Sequence, residues 1–168
     1  AHYATGQLHD KNGDLQQAIA SYSIVRTRYA FSDVVVASRI REAIDLVSLR
    51  RPERALDVLI GIESIIDAKP NDSVPMQIDA DAANEEVALV RAEAHTLRGR
   101  YNEAYDSCVV FLQRYPSSVY RWHVHLHAGL NALNSNRPDA ALKHYEAILD
   151  SVPDEASPIR QQALLYHA

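Results

Sequence analysis

Four alanines, Ala18, Ala55, Ala104 and Ala141, each stand in a related phrase: Gly13-Asp14-Leu15-Gln16-Gln17-Ala18, Arg51-Pro52-Glu53-Arg54-Ala55, Gly99-Arg100-Tyr101-Asn102-Glu103-Ala104 and Arg137-Pro138-Asp139-Ala140-Ala141. Their intervals are 37, 49 and 37 residues, so a unit of about 37 residues recurs and twelve extra residues lie between Ala55 and Ala104. A unit this short cannot bury its apolar face alone. Repeats of this length gain a core by stacking on their neighbours, which limits the fold to a linear array and leaves an extended surface free.

The positions around each alanine support a pair of helices per unit. Twelve residues upstream stand Gly6, Ala43, Ala92 and Gly129, small residues that let two helices approach closely. Twelve residues downstream, Pro116 and Pro153 end the second helix in two of the units. Gly6, Gly13, Asp14, Ala18 and Tyr22 in the first unit, Gly99, Tyr101, Ala104 and Pro116 in the third, and Gly129, Ala141, Tyr145 and Pro153 in the fourth resemble the tetratricopeptide repeat pattern. The second unit matches it least, and the period exceeds the usual 34 residues, which implies longer helices or turns and a shifted superhelix. The resemblance implies an all-α fold, a right-handed α-solenoid of about four helical hairpins plus a C-terminal helix, acting as a non-enzymatic scaffold that binds a protein or peptide.

Composition agrees with a packed helical chain. Of 168 residues, 47% are apolar and only five are glycine, and the one Asn-Gly pair, Asn12-Gly13, joins helical patterns rather than alternating strands. The net charge of −5 argues against nucleic acid as a principal partner. Its one basic group, Arg39, Arg41, Arg50, Arg51 and Arg54, reads as a solvated helix face. Cys108 stands alone, which excludes an internal disulfide, and among Val109, Val110 and Phe111 it reads as a buried small hydrophobe. No apolar run reaches membrane-spanning length, so no insertion of this segment is expected.

The expected layout is one domain over 1–168, with hairpins at about 1–31, 33–66, 84–115 and 119–152 and a helix from about 157. The opening at Ala1, already inside a helical pattern, and an unfinished fifth repeat predict a segment of a larger protein. Ser32 or Asp33, Asn84, and Ser117 or Ser118 are expected N-caps. Residues 67–83, with Pro70, Pro75 and several aspartates, read as a loop insertion that either contacts a partner or packs Val74, Met76 and Ile78 on the array edge.

Catalytic motifs are absent: no glycine-rich phosphate loop, nucleophile elbow or His-Glu-x-x-His site occurs, and neither cofactor nor catalytic residue is expected. The segment Trp122-His123-Val124-His125-Leu126-His127 resembles a metal-ligand row only if read as a strand. Read as a helix, it puts His123 and His127 on one face and gives His125 a packing position. His9 and His95, nine residues before their repeat alanines, read as packed histidines. No metal site is therefore expected.

In the tetratricopeptide family the first helix of each hairpin lines a concave groove, and that resemblance implies groove positions here. They are Tyr3, Gln7, Asp10 and Lys11 in the first unit, Ile40, Ile44 and Val47 in the second, and Glu86, Leu89, Glu93, Thr96 and Leu97 in the third. Leu126, Leu130 and Leu133 follow in the fourth, with Ser48 and Asn134 at the rim. Only Lys11 and Asn134 fit the family's carboxylate clamp. The apolar positions imply an amphipathic helix or apolar peptide, unless longer helices rotate the register so that these residues pack on a neighbouring helix. Two other readings remain, a self-associating scaffold with an open apolar end near Ile159 and Tyr166, and a regulatory domain of a larger enzyme. Arg28-Tyr29-Ala30-Phe31-Ser32 and Arg114-Tyr115-Pro116-Ser117-Ser118 resemble the endings of bacterial envelope repeat proteins, which implies an envelope or periplasmic setting.

Overall fold

The computed structural model describes residues 1–67 and 79–167. Every regular element among them is a helix. The chain divides into two compact units, Ala1–Leu97 and Arg98–Ala168, and the division falls at the turn that follows the first helix of the third repeat phrase.

The first unit opens with α1 (His2–Lys11) and α2 (Leu15–Arg28), followed by α3 (Val35–Ser48) and α4 (Pro52–Val58). The short α5 (Ile62–Ile66) and the long α6 (Ala80–Leu97) complete it. Helices α1 to α4 pack consecutively, α5 packs on α3 and α6, and α6 closes over α3 and α4. The core runs from Ile19 on α2 through Val36, Ala43 and Leu46 on α3 and Ala55 and Leu59 to Val87 and Ala94 on α6. In the second unit α7 (Tyr101–Arg114), α8 (Arg121–Asn134), α9 (Pro138–Ser151) and α10 (Pro158–His167) pack in sequence, with α10 also touching α8. Leu126, Ala132, Ala141, Tyr145, Ile148 and Ala163 form its core.

The repeat phrase marks a turn of one geometry. Five residues before each repeat alanine the backbone is left-handed, with φ of +80° at Gly13, +54° at Arg50, +69° at Gly99 and +60° at Asn136. Glycine takes this conformation without strain, whereas Arg50 and Asn136 adopt it against the usual preference of L-residues. The following amides return to the preceding helix: Asp14 N–H donates to His9 O at 2.9 Å, Arg51 to Leu46 O at 2.8 Å and Arg137 to Ala132 O at 2.8 Å. This closure satisfies carbonyls left free at a helix C-terminus. Pro52 and Pro138 then occupy the first helical turn, where their missing N–H costs nothing. The second repeat, around Ala55, is least like the family pattern in sequence and makes the same turn.

The small residues matter for packing as expected. A Cβ on Gly6 would lie 2.5 Å from Cε1 of Tyr22, and one on Gly129 would lie 2.4 Å from Cε1 of Tyr145. Tyr22 and Tyr145 are fully buried, and the same glycine–tyrosine wedge closes the α1/α2 and α8/α9 hairpins. Gly129→Leu is expected to destabilise by about 2 kcal/mol through overpacking, read as lost protection in amide exchange along α8 and α9. Tyr145→Ala in the same chain restores part of the loss if steric crowding is the cause.

Several local expectations are corrected. The second helix of the 33–66 hairpin breaks at Gly61, φ +71°, into α4 and α5. Side chains meet the carbonyls at the end of α4: Arg39 Nε donates to Val58 O at 2.8 Å and Nη2 to Ile60 O at 2.6 Å, while Arg91 Nη2 donates to Leu59 O at 3.1 Å. Arg39 therefore leaves the basic group predicted as a solvated face, although Arg41, Arg50, Arg51 and Arg54 stay exposed. Helix α6 begins at Ala80 rather than near residue 84, with Asp79 Oδ1 accepting from Ala82 N–H at 3.1 Å, so Asn84 is an interior helix residue and not a cap. No side-chain cap forms at Ser32 or Asp33, because α3 starts later, after Val34. Ser118 Oγ accepts from Tyr120 N–H just ahead of α8. Of the expected insertion, Val74, Met76 and Ile78 lie outside the described residues.

Candidate binding face

The first helices carry the residues on which a binding face would stand. On α1, Gln7 and Lys11 are exposed and Tyr3 and Asp10 half-buried; on α3, Ile44 is half-buried and Ser48 exposed. On α6, Glu93 is exposed while Glu86, Leu89, Thr96 and Leu97 are half-buried. Ile40 and Val47 are buried in the core of the first unit and offer no surface. In the second unit Leu126 is likewise buried, Leu130 half-buried, and Leu133 and Asn134 exposed. Asn134 Nδ2 is engaged with Leu130 O at 2.9 Å, and Ser48 Oγ with Ile44 O at 3.0 Å. The apolar positions that keep some surface are thus Ile44, Leu89 and Leu97 in the first compact unit and Leu130 and Leu133 in the second, and polar and aromatic side chains dominate α1.

On α3, where α2 packs against it, lies a feature that the sequence pattern hides. Ser38, Glu42 and Asp45 follow one another at helical spacing on α3, and all three are buried. Arg26 of α2 grips Glu42 with both forks, Nε to Oε2 at 2.9 Å and Nη2 to Oε1 at 3.2 Å. That pair raises the Arg26 pKa further, chiefly through its hydrogen bond to Glu42. Asp45 Oδ2, Ser38 Oγ and the Tyr22 hydroxyl are buried without a hydrogen-bond partner among the described residues. Burial, and then the charge of Asp10, push the Asp45 carboxyl up to about 7. Burial first and Asp10 second also raise the Tyr22 phenol. In sequence, residues 38, 42 and 45 have the spacing of a solvent-facing stripe, and nothing local distinguishes a buried one from it.

The predicted histidine placements divide. His123 and His127 are exposed on α8, whereas His125 turns inward to meet His144 of α9, a residue that sequence reasoning did not single out. His9 lies 3.9 Å from Asp14. Cys108 is 1% exposed, and burial raises its thiol to about 12, which removes the thiolate a reactive cysteine needs.

A cleft of about 340 Å³ lies between α1, the end of α2 and the turn at 29–34, bordered by His2, Tyr3, Tyr29 and Asp33. Ser32, whose hydroxyl is buried without a hydrogen-bond partner among the described residues, also lines it. Among the described residues no cluster of three or more His, Cys, Asp or Glu is positioned around a common point, and no helix is long and apolar enough to cross a membrane. A scan against protein-family models finds no match to this chain, and no curated protein matches it.

Proposed function

We propose that this chain is a non-enzymatic scaffold, a right-handed array of about four hairpins similar to tetratricopeptide repeats, which docks a protein or peptide through its first helices. The reading is carried by the left-handed turn at one offset from all four repeat alanines. The glycine–tyrosine wedge common to the first and last hairpins adds support. Repetition of a packing unit, rather than a walled cavity, suits recognition of an extended partner. Gln7, Lys11 and Glu93 are the exposed side chains that most directly offer contacts, with Tyr3, Ile44 and Leu89 as half-buried anchors beside them.

The test is affinity capture from the native host with the wild-type chain and the triple variant Gln7→Glu, Lys11→Glu, Glu93→Arg in parallel. The expected result is a partner retained by the wild type and by an exposed α2 control, Gln16→Arg, and lost with the triple variant, all three proteins melting alike. Equal retention by all of them removes the first-helix face from the reading.

A second reading, self-association, is favoured by Leu164, Leu165 and Tyr166 on α10, exposed by 49, 77 and 45%. Sedimentation of the wild type against Leu165→Glu separates the two: a concentration-dependent mass lost in the variant supports self-association, and one ideal monomer mass for both excludes it.

A further inference from the structure

Helix α8 distributes the three histidines of Trp122-His123-Val124-His125-Leu126-His127 to different surroundings: His123 and His127 are exposed, and His125 is half-buried against His144 of α9. Its Nδ1 lies 3.0 Å from Nδ1 of His144. The two rings meet edge to face, 5.1 Å between centroids. Trp122 lies 5.5 Å from His125, and Tyr105 of α7 meets His144 edge-on at 5.7 Å. Arg121 lies over the other conspicuous ring, 3.9 Å from the Trp122 centroid. Burial lowers the pKa of both imidazoles, that of His125 to about 4, with His144 and Arg121 adding to the shift at His125. Both rings are therefore neutral at pH 7, each with one nitrogen lone pair.

We propose that His125 and His144 form a two-coordinate site for a soft monovalent cation, Cu(I) or Ag(I), held between the two Nδ1 atoms and joining α8 to α9. The argument is one of ligand number. No third His, Cys, Asp or Glu joins the pair among the described residues, which fails the tetrahedral requirement of zinc. A filled d-shell monovalent ion accepts two opposed neutral nitrogens, and imidazole is a ligand copper accepts. With nitrogen–metal bonds of about 2 Å the two Nδ1 atoms stand about 4 Å apart, so the rings separate by about 1 Å from their hydrogen-bonded positions. In the metal-free pair one ring donates its Nδ1 proton to the other. On metal binding that ring exchanges the Nδ1 proton for one at Nε2, so both rings stay neutral and no net proton is released.

The test uses Ag(I), which needs no reductant, with the single Trp122 as reporter, in a Cys108→Ala background so that no thiol in the described chain competes. The expected result is one Ag(I) per chain, quenched Trp122 emission and a heat of binding independent of the buffer's ionisation enthalpy. Cu(I) buffered by a chelator under anaerobic conditions gives the same stoichiometry, while Zn(II) leaves Trp122 unchanged. His125→Phe and His144→Phe each weaken binding more than about 100-fold, beyond the 10–100-fold typical of losing an outer-shell partner, and His123→Ala with His127→Ala leaves it intact. Circular dichroism of both Phe variants establishes that they fold; should either fail, His144→Gln takes its place. Lack of a stoichiometric Ag(I) signal, or binding that survives in the double Phe variant, overturns the site. The outcome is independent of the contacts named for docking, Gln7, Lys11, Glu93, Tyr3, Ile44 and Leu89, which lie on α1, α3 and α6.

Discussion

Asp45→Asn is expected to stabilise the first unit more at pH 8 than at pH 5. Asp45 is 2% exposed on α3, and burial reinforced by Asp10 and Glu42, against the opposing charge of Arg41, pushes its carboxyl up to about 7 from an ordinary value of 3.8. The group facing it from α2 is Tyr22, whose phenol the Asp45 charge raises in turn. Between pH 3.8 and about 7 the folded chain holds a proton that the unfolded chain has released. Stability therefore falls as pH rises through this window, by at most about 4 kcal/mol for roughly three units at 1.36 kcal/mol each. Asparagine keeps the shape of the protonated acid and cannot ionise, so the variant lacks that slope. Amide exchange along α3 at the two pH values measures the difference. An equal effect at both shows that Asp45 does not titrate in this window.

Arg26→Ala carries the other large expected effect. Glu42 has a 1% exposed side chain and depends on Arg26 for two charge-assisted hydrogen bonds. Removing the guanidinium leaves a carboxylate buried and unpaired, a change that costs about 3–5 kcal/mol for fully buried pairs. Arg26 is one-third exposed, which places the expected loss near about 3 kcal/mol, since water reaches one partner already. Replacing both residues by methionine is expected to cost far less than the single change, because burying neither charge is cheaper than burying one. Urea unfolding of the two singles and the double forms the cycle that decides it. Additive losses refute the pairing as the source.

Both effects arise from one face of one helix, and that face was unreadable beforehand. Ser38, Glu42 and Asp45 would be assigned to solvent by composition, yet α2 lies across them. The converse holds at Ile40, Val47 and Leu126, for which the family resemblance left open a groove or packing on a neighbouring helix, and which are buried in the cores. Each is an assignment of facing, and a helix exposes or buries a stripe according to what lies beside it. The break at Gly61 is similar: the carbonyls of Val58, Leu59 and Ile60 just before it accept from Arg39 and Arg91, which come from α3 and α6.

What the sequence determined by itself was local: the helical character, the four turns and the close helix approach at Gly6 and Gly129. These follow from short-range backbone and steric rules, legible in Gly13, Gly99, Pro52, Pro138 and the repeat alanines without knowledge of neighbours. Tertiary structure alone decided which polar groups were buried and which histidines met. Arg26 and Glu42, or His125 and His144, are 16 and 19 residues apart on different helices. Their encounter depends on how those helices rotate about their axes, a quantity set by packing across the whole unit and absent from any local pattern.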